Sequence, residues 1–527
     1  MKKNSSPIPL QTLTILIPCL LFAGAYYQWP LFSSNQNSYF LKGLADSGYG
    51  HLSSDWLAQQ TDHIPVFSAL VALIHGFGSH WIFYAVLGAI TTIYAVSLFA
   101  IVHPSVVKPS IPQSTAFFAL LTLIHSPWLL IDFSDLTSWL WHNLPQFKWL
   151  ASLSTKGLAG QSILGPFLQP SVFGVFLITS ISLFVHKREF LAIVCVVLAA
   201  SIHPTYILHA AVLTSAYIVV LAFERSTVKA IRVGALALLL ILPILLYVVL
   251  SFPTGSPSVH SMAQEILVEA RIPHHAKVSH WFSINSCVQL AIILLGIALS
   301  RRSNRLFQVL SFCTVTGIGL TLLQIISGSD ALSLFFPWRL STWLIPSCTA
   351  IILGKLSLVV TILINAIPKQ QIQAAVKTGL VCMLFMFLGG ACFLGVSRTR
   401  AGIDVDKHRG SVESYAKMHS SPDQIYLIPL NLESFRIASG VPIFVDWKSH
   451  PYRDTELLEW YKRVKLAMTF YKRLSTRDAS AALTAIQRHA RITHVVVPGK
   501  MDHLHGIQGD RVFQNSQHVV YELEWTQ

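Results

Sequence analysis

What this 527-residue chain has least of is charge. Asp, Glu, Lys and Arg make up 12% of it, against about 25% in an average soluble protein. Acids are the scarcer sign, 24 against 38 Lys and Arg, and only ten of them precede residue 397. Cysteine is also sparse. Cys19, Cys195, Cys287, Cys313, Cys348, Cys382 and Cys392 lie in or at the ends of apolar segments, none with CxxC spacing. That distribution argues against a disulfide framework and against a zinc site. There is no Gly-rich phosphate loop, no GxSxG elbow and no HExxH pair. Internal repeats, heptads and low-complexity tracts are missing as well. The basic residues sit in short connectors rather than in one stripe interleaved with aromatics, which argues against a nucleic-acid groove.

What is present is apolar sequence: 53% of residues are hydrophobic, and the mean hydropathy is +0.55. One water-soluble core cannot absorb that much, so the reading is a polytopic α-helical membrane protein. Residues 10–28 read as an uncleaved first span, with Trp29 as an interfacial anchor. Further spans are expected at 80–103, 113–131, 170–186, 190–202, 205–223, 231–251, 281–299, 306–327, 335–367 and 377–396. That makes about eleven crossings at roughly 20 residues each. His203-Pro204 interrupts one apolar run. Pro346 and Lys355 lie within 335–367, which is expected to be a broken helix or a hairpin. Pro65 opens a run too short to span alone.

Charge placement orients these spans. With the amino terminus inside, thirteen of the twenty Lys and Arg before residue 397 fall in inner connectors, including Lys187-Arg188 and Arg301 to Arg305. This is the positive-inside pattern. Of the ten acids, only Glu189 and Glu224 fall inside. The localisation expected is therefore the cell (inner) membrane, with a cytoplasmic amino terminus and residues 397–527 outside. That last region has short strands (Ile425 to Leu430, Val441 to Val445, Thr493 to Val497, Val519 to Leu523) and helices near 455–473 and 479–490. Alternating strands and helices predict a small extracytoplasmic α/β domain. The domain division expected is thus 1–396 and 397–527, with residues 29–65 as the first outer loop.

That loop holds three acids, Asp46, Asp55 and Asp62, within seventeen residues. They are interleaved with Tyr39, Tyr49 and Trp56. A helix from Asn37 puts Tyr39, Lys42 and Asp46 on one face. A second helical piece from Ser53 or Ser54 puts Asp55 and Asp62 on one face. Asp55 is then either a helix cap or a carboxylate serving as general base or metal ligand. Asp62 and Asp46 are either turn residues or further candidates. Arg339, at the outer end of a span, either snorkels to headgroups or binds a phosphate oxygen. His203 is either a structural group at a helix break or a ligand contact. Asp446 and Trp447 end the strand Val441 to Val445, where binding residues of α/β sheets gather. A second outer loop carries Asp132, Asp135, Trp139, Trp141 and His142. Glu265 and Glu269 share a helix face ahead of His274 and His275.

One amino-terminal span, an outer loop with acids, many further spans and an outer α/β domain together resemble the GT-C class of glycosyltransferases. Tyr39 to Leu44, Ser54-Asp55-Trp56-Leu57-Ala58, Pro337-Trp338-Arg339 and Ser439 to Lys448 resemble a bacterial, largely cyanobacterial, membrane-protein group related to that class. The resemblance implies transfer of a sugar from a polyprenyl-phosphate carrier to an acceptor at the outer face, with a first-loop acid as base or divalent-metal ligand. The chain departs from the class where many members carry an acidic pair before a tyrosine. Here Asn35-Gln36-Asn37 precede Tyr39, and amides accept no proton at neutral pH. Asp46, Asp55 or Asp62 then takes that work. The rival readings are a transporter or flippase, served by broken helices, and a non-catalytic subunit of an envelope polysaccharide system.

Overall fold

The computed structural model describes residues 10–26, 28–103, 109–129, 145–403, 410–476, 478–499 and 509–523. The aromatic loop with Asp132, Asp135, Trp139, Trp141 and His142 lies outside these. The molecule is a multi-pass, mostly helical membrane protein with a small mixed sheet near its carboxyl end. Among the described residues, six helices are long and apolar enough to cross a membrane: Trp81–Val102, Pro204–Phe223, Thr227–Ser251, Asn304–Ser327, Asp330–Asn365 and Gln370–Ser397. The other five expected spans fall on shorter apolar helices: Leu13–Ala25, Ile111–Ile124, Pro170–Val185, Glu189–Ile202 and Ile284–Ser300.

The chain divides into two compact units, the first made of Met1–Trp29, Phe83–Ile244 and Ile272–Ala401. One end of this helical unit is tied by Arg305, which is 8% exposed. Its Nε and Nη2 donate to Glu224 at 2.7 and 2.6 Å, and Nη1 donates to Glu189 at 3.0 Å and to the Phe184 carbonyl at 2.8 Å. Four helix termini are thereby joined, and the two acids that the charge pattern puts inside have a shared partner. Glu189 opens one helix and Glu224 closes the next, so the turn between those helices, His203 to Tyr206, lies at the other end.

His203-Pro204 interrupts the apolar run between the spans expected at 190–202 and 205–223: Pro204 opens a 3-10 turn, Pro204–Tyr206, that reverses the chain between two helices. One expectation about a broken span is corrected: Pro346 does not break residues 335–367. One helix, Ser341–Asn365, runs through it. A proline near the start of a helix removes a single backbone bond, and packing against neighbours tolerates it. The break comes earlier, where Phe336 adopts φ 49° and Pro337 starts a 3-10 turn, Pro337–Leu340.

The second unit is Pro30–Ile82, Leu245–Arg271 and Gly402–Gln527. Its sheet has four strands: β1 (Tyr426–Leu427), β2 (His494–Pro498), β3 (Gly509–Gln514) and β4 (His518–Leu523), in the order β1-β2-β4-β3. β1 runs parallel to β2, and the other pairs are antiparallel. β3 was not expected from the sequence. Val512 and Phe513 of this partly exposed strand pack on a core of Val412, Tyr426, Phe435, Val441, Val496 and Val520. The expected strand Val441 to Val445 is corrected to a single bridge, Tyr426 to Ile443. Pro442 has no N–H to give, and the Ile443 N–H is taken by Asp55 at 3.0 Å. The two helices expected here are present as Asp454–Arg473 and Ala479–Gln487. Gly50 and Gly440, both at positive φ, let two loops touch: a Cβ on Gly50 would collide with the Gly440 carbonyl, which accepts from His51 N–H at 2.8 Å.

Candidate active site

Local sequence explains how the acidic loop folds. Gln36–Tyr39 and Leu41–Asp46 are short helices whose apolar side, with Leu41 and Leu44 buried, faces the helix Pro65–Gly76. Lys42 and Asp46 pair at 3.2 Å, one turn apart, with the Asp46 side chain 51% exposed. Gly48 at φ 77° and Gly50 at φ 57° then end the helical path. A 3-10 turn, Leu52–Ser54, follows, and Asp55 is extended. No helix runs from Asp55 to Asp62, so the expected common face is not formed. The chain there is held by side-chain bonds instead of a helical ladder.

Asp55 is fully buried. Its Oδ1 accepts from Leu57 N–H at 2.9 Å and Ala58 N–H at 3.3 Å, and its Oδ2 accepts from Ile443 N–H. The Arg436 guanidinium lies 3.1 Å from Asp55 Oδ2 through Nε and 3.0 Å from Asp446 Oδ2 through Nη2. Asp446 is also buried and accepts from Ser449 N–H. Burial pushes the Asp446 carboxyl above its usual range, against the pull of Arg436. Two carboxylates and one guanidinium thus form a buried cluster. Sequence reasoning placed Asp55 and Asp446 in the site separately and missed Arg436. The signal was an arginine between Phe435 and Ile437, both of which are fully buried.

Asp62 has a different setting. It is half-buried, and its Oδ1 accepts from Ile64 N–H at 2.9 Å. Burial raises its pKa, with the Ile64 bond, Ser68 and Lys42 opposing. Tyr39, Lys42, Asp62, His63, Ser449 and His450 line a slot of about 40 Å³, room for water rather than a sugar ring. Aromatic rings gather beside it. His63 and Tyr452 lie 4.2 Å apart, His450 and Tyr452 4.7 Å, and His450 and Trp460 5.6 Å. Burial holds His63 down at about 3, aided by His450, and holds His450 at about 3, aided by the Arg271 charge. Both imidazoles are neutral at physiological pH.

Trp56 is covered by Arg463, whose guanidinium carbon is 4.3 Å from the ring centroid. The Trp447 ring packs on Trp460 at 5.6 Å, and the Trp447 backbone N–H donates to the Leu430 carbonyl at 3.0 Å. Among the described residues, no group of three His, Cys, Asp or Glu is placed to hold a metal ion.

Arg339 and His203 belong to the helical unit. Arg339 sits in the 3-10 turn, its guanidinium carbon 4.0 Å from the Phe336 ring centroid. Trp338 and Leu340, its sequence neighbours, line an apolar groove of about 330 Å³ with Trp281, Leu290, Ile318 and Ile325. The Trp281 and Trp338 rings are 5.2 Å apart, and each indole N–H is buried without a hydrogen-bond partner among the described residues. His203 is buried, its ring 5.2 Å from Tyr206, whose hydroxyl donates to the Ser171 carbonyl.

A family model described as Domain of unknown function (DUF6798) matches residues 410–467, the segment with Arg436, Asp446 and Trp447. No curated protein matches the chain. Among solved structures, the chain is similar to ArnT from Cupriavidus metallidurans. The apo state gives a TM-score of 0.44 and the form bound to undecaprenyl phosphate 0.45, each at 11% identity and covering 97% of both chains. At that degree of likeness the match carries no argument about this chain's reaction.

Proposed function

We propose that this chain is a glycosyltransferase acting on a polyprenyl-phosphate-linked sugar at the outer face of the membrane. The observation that supports it is the groove beside Arg339. Its volume falls in the range of small-molecule sites, about 300–1,000 Å³, and its walls suit a hydrocarbon chain. Arg339 stands next in sequence to Trp338 of the groove wall. A lipid-linked phosphate has that same division into apolar tail and anionic head.

In this reading Arg339 pairs with the phosphate that leaves as the sugar transfers, stabilising the charge that develops on it. The acceptor hydroxyl gives its proton to a carboxylate. Asp62 is the acid of the loop that we put forward for testing, because burial raises its basicity and it lines a slot of its own unit with room for water. Asp46 is exposed but paired with Lys42. Asp55 is assigned a structural role, since every direction around its carboxylate is already occupied. We favour this over the transporter reading because Pro346 leaves the helix Ser341–Asn365 continuous and His203-Pro204 falls in a turn between two helices.

The test uses protein reconstituted with a polyprenyl-phosphate sugar donor, measuring release of polyprenyl phosphate. Arg339→Lys keeps the charge but loses the planar fork, and we expect it to cut turnover at least about tenfold. Asp62→Asn should lower turnover more than Asp46→Asn. Wild-type protein that moves labelled donor across a vesicle without releasing phosphate would be a flippase, and the transferase reading would fail.

A further inference from the structure

The helical unit has a second pocket, at the opposite end of Asn304–Ser327 from the groove beside Arg339. That helix is about 36 Å long at 1.5 Å per residue. The groove is lined by its residues 313 to 325, and the second pocket by Asn304, Arg305 and Leu306. The second pocket has a volume of about 430 Å³. Its charged lining is Lys187, Arg302, Arg305, Lys355 and one carboxylate, Glu224.

The balance among these groups is uneven. Glu224 is the partner of Arg305, which holds it through two hydrogen bonds of 2.7 and 2.6 Å. Among the described residues, the ammonium groups of Lys187 and Lys355 and the guanidinium of Arg302 make no hydrogen bond or ion pair. Lys355 is half-buried, about three turns before the end of the helix Ser341–Asn365, which carries no other charged residue. A cation inside a membrane helix marks a polar site unless a partner satisfies it. Lys187 occupies a left-handed turn, φ 61°, a conformation glycine takes more easily than lysine. Gly354 shapes the wall: a Cβ there would collide with Val102, so the helices meet closely beside the pocket. The uncharged lining is mixed: Ile101, Val185 and Leu299 are apolar, while Gln113, Ser300, Ser303 and Asn304 are polar. Leu358, 41% exposed, lies beside Leu356 and Val359 on a surface suited to acyl chains.

We propose that this pocket binds the phosphate head of an anionic phospholipid from the leaflet on the basic side of the protein. Lys187, Arg302 and Lys355 supply the attraction, in excess of Glu224, which Arg305 and the field of Lys187 share, and Gln113, Ser303 and Asn304 supply polar side chains on the lining. The apolar wall leading to Leu358 distinguishes a lipid from a free phosphate. This site is independent of the proposed sugar transfer.

The experiment measures lipid retained by purified full-length protein in detergent, by native mass spectrometry and by the rise in melting temperature on adding lipid. The probes are phosphatidylglycerol, phosphatidylcholine and inorganic phosphate. Phosphatidylglycerol should bind at least about tenfold tighter than phosphatidylcholine, and Lys187→Gln with Arg302→Gln should weaken it at least about fivefold per charge removed. Both of those side chains are exposed, so this pair leaves the packing intact. Lys355→Gln should weaken binding similarly, and Lys355→Arg should restore it. Unchanged selectivity in the Lys187/Arg302 double variant would overturn the proposal. So would equal binding of the two lipids, and inorganic phosphate displacing phosphatidylglycerol at millimolar concentration would assign the pocket to a soluble anion instead.

Discussion

At the scale of single residues, the acid that looked most chemical in the sequence is the one most committed to structure. Asp55 bonds three backbone N–H groups and touches Arg436, which also holds Asp446. Removing one member of a buried charged cluster leaves the others uncompensated, a cost of about 3–5 kcal/mol. Asp55→Ala should therefore melt well below wild type in detergent, and Asp55→Asn should also fall, because the amide cannot balance Arg436. A wild-type melting temperature for Asp55→Asn with lost turnover would return Asp55 to the chemistry. The histidines give a second expectation. His63 and His450 drop from an ordinary 6.5 to about 3 in the folded protein. Between those values the unfolded chain binds more protons, so folding stability falls as pH drops from 6.5 towards 3, and above 6.5 it is flat. Asp62, raised, acts in the opposite sense at the acid end of that window. Limited proteolysis of the second unit should accelerate as pH falls below 6, and His63→Phe should shrink the change. The sequence showed these residue types in the right stretch. It did not show Arg436, because pairing across 381 positions leaves no local periodicity to read.

At the scale of elements, hydrophobic runs located the helices well, since a span is written in contiguous apolar residues. Turns were harder to read. His203-Pro204 and Phe336-Pro337 both punctuate apolar sequence, and only packing decides that the first reverses the chain and that the second precedes a long helix. The strand expected at Val441 to Val445 failed for a tertiary reason, a backbone N–H claimed by Asp55. Arg305 is another tertiary feature. It looked like one more inner cation, yet it joins the helices beginning at Glu189 and Asn304 to those ending at Phe184 and Glu224. Arg305→Ala should lower stability by about 3 kcal/mol, because two carboxylates lose their partner. Arg305→Lys should recover part of this, as a single ammonium cannot reproduce the fork. Heating followed by size-exclusion chromatography measures both. Equal melting of wild type and Arg305→Ala would show that the cluster contributes nothing to holding these helices.

At the scale of the whole molecule, composition alone was enough for a multi-pass membrane protein, because 12% charge in 527 residues permits little else. The structure adds that the acidic loop, residues 245–271 and the carboxyl-terminal region fold as one compact unit, a grouping of three distant segments that no linear boundary describes. Orientation remains an inference from charge. The basic connectors at Lys187-Arg188 and Arg301 to Arg305 meet at one end of the helical unit, and Arg339 lies at the other end. Positive connectors stay on the cytoplasmic side, so residues 397–527 should lie outside and the amino terminus inside. A reporter that is active only outside the cytoplasm, fused after Ser397, should be active, and the same reporter fused after Arg188 or Arg302 should be silent. One that is active only inside should give the reverse pattern. If the fusion after Ser397 is active only inside, the acidic loop, which folds with that region, cannot be presumed to face outward. The proposed donor would then have to be one presented at the cytoplasmic face.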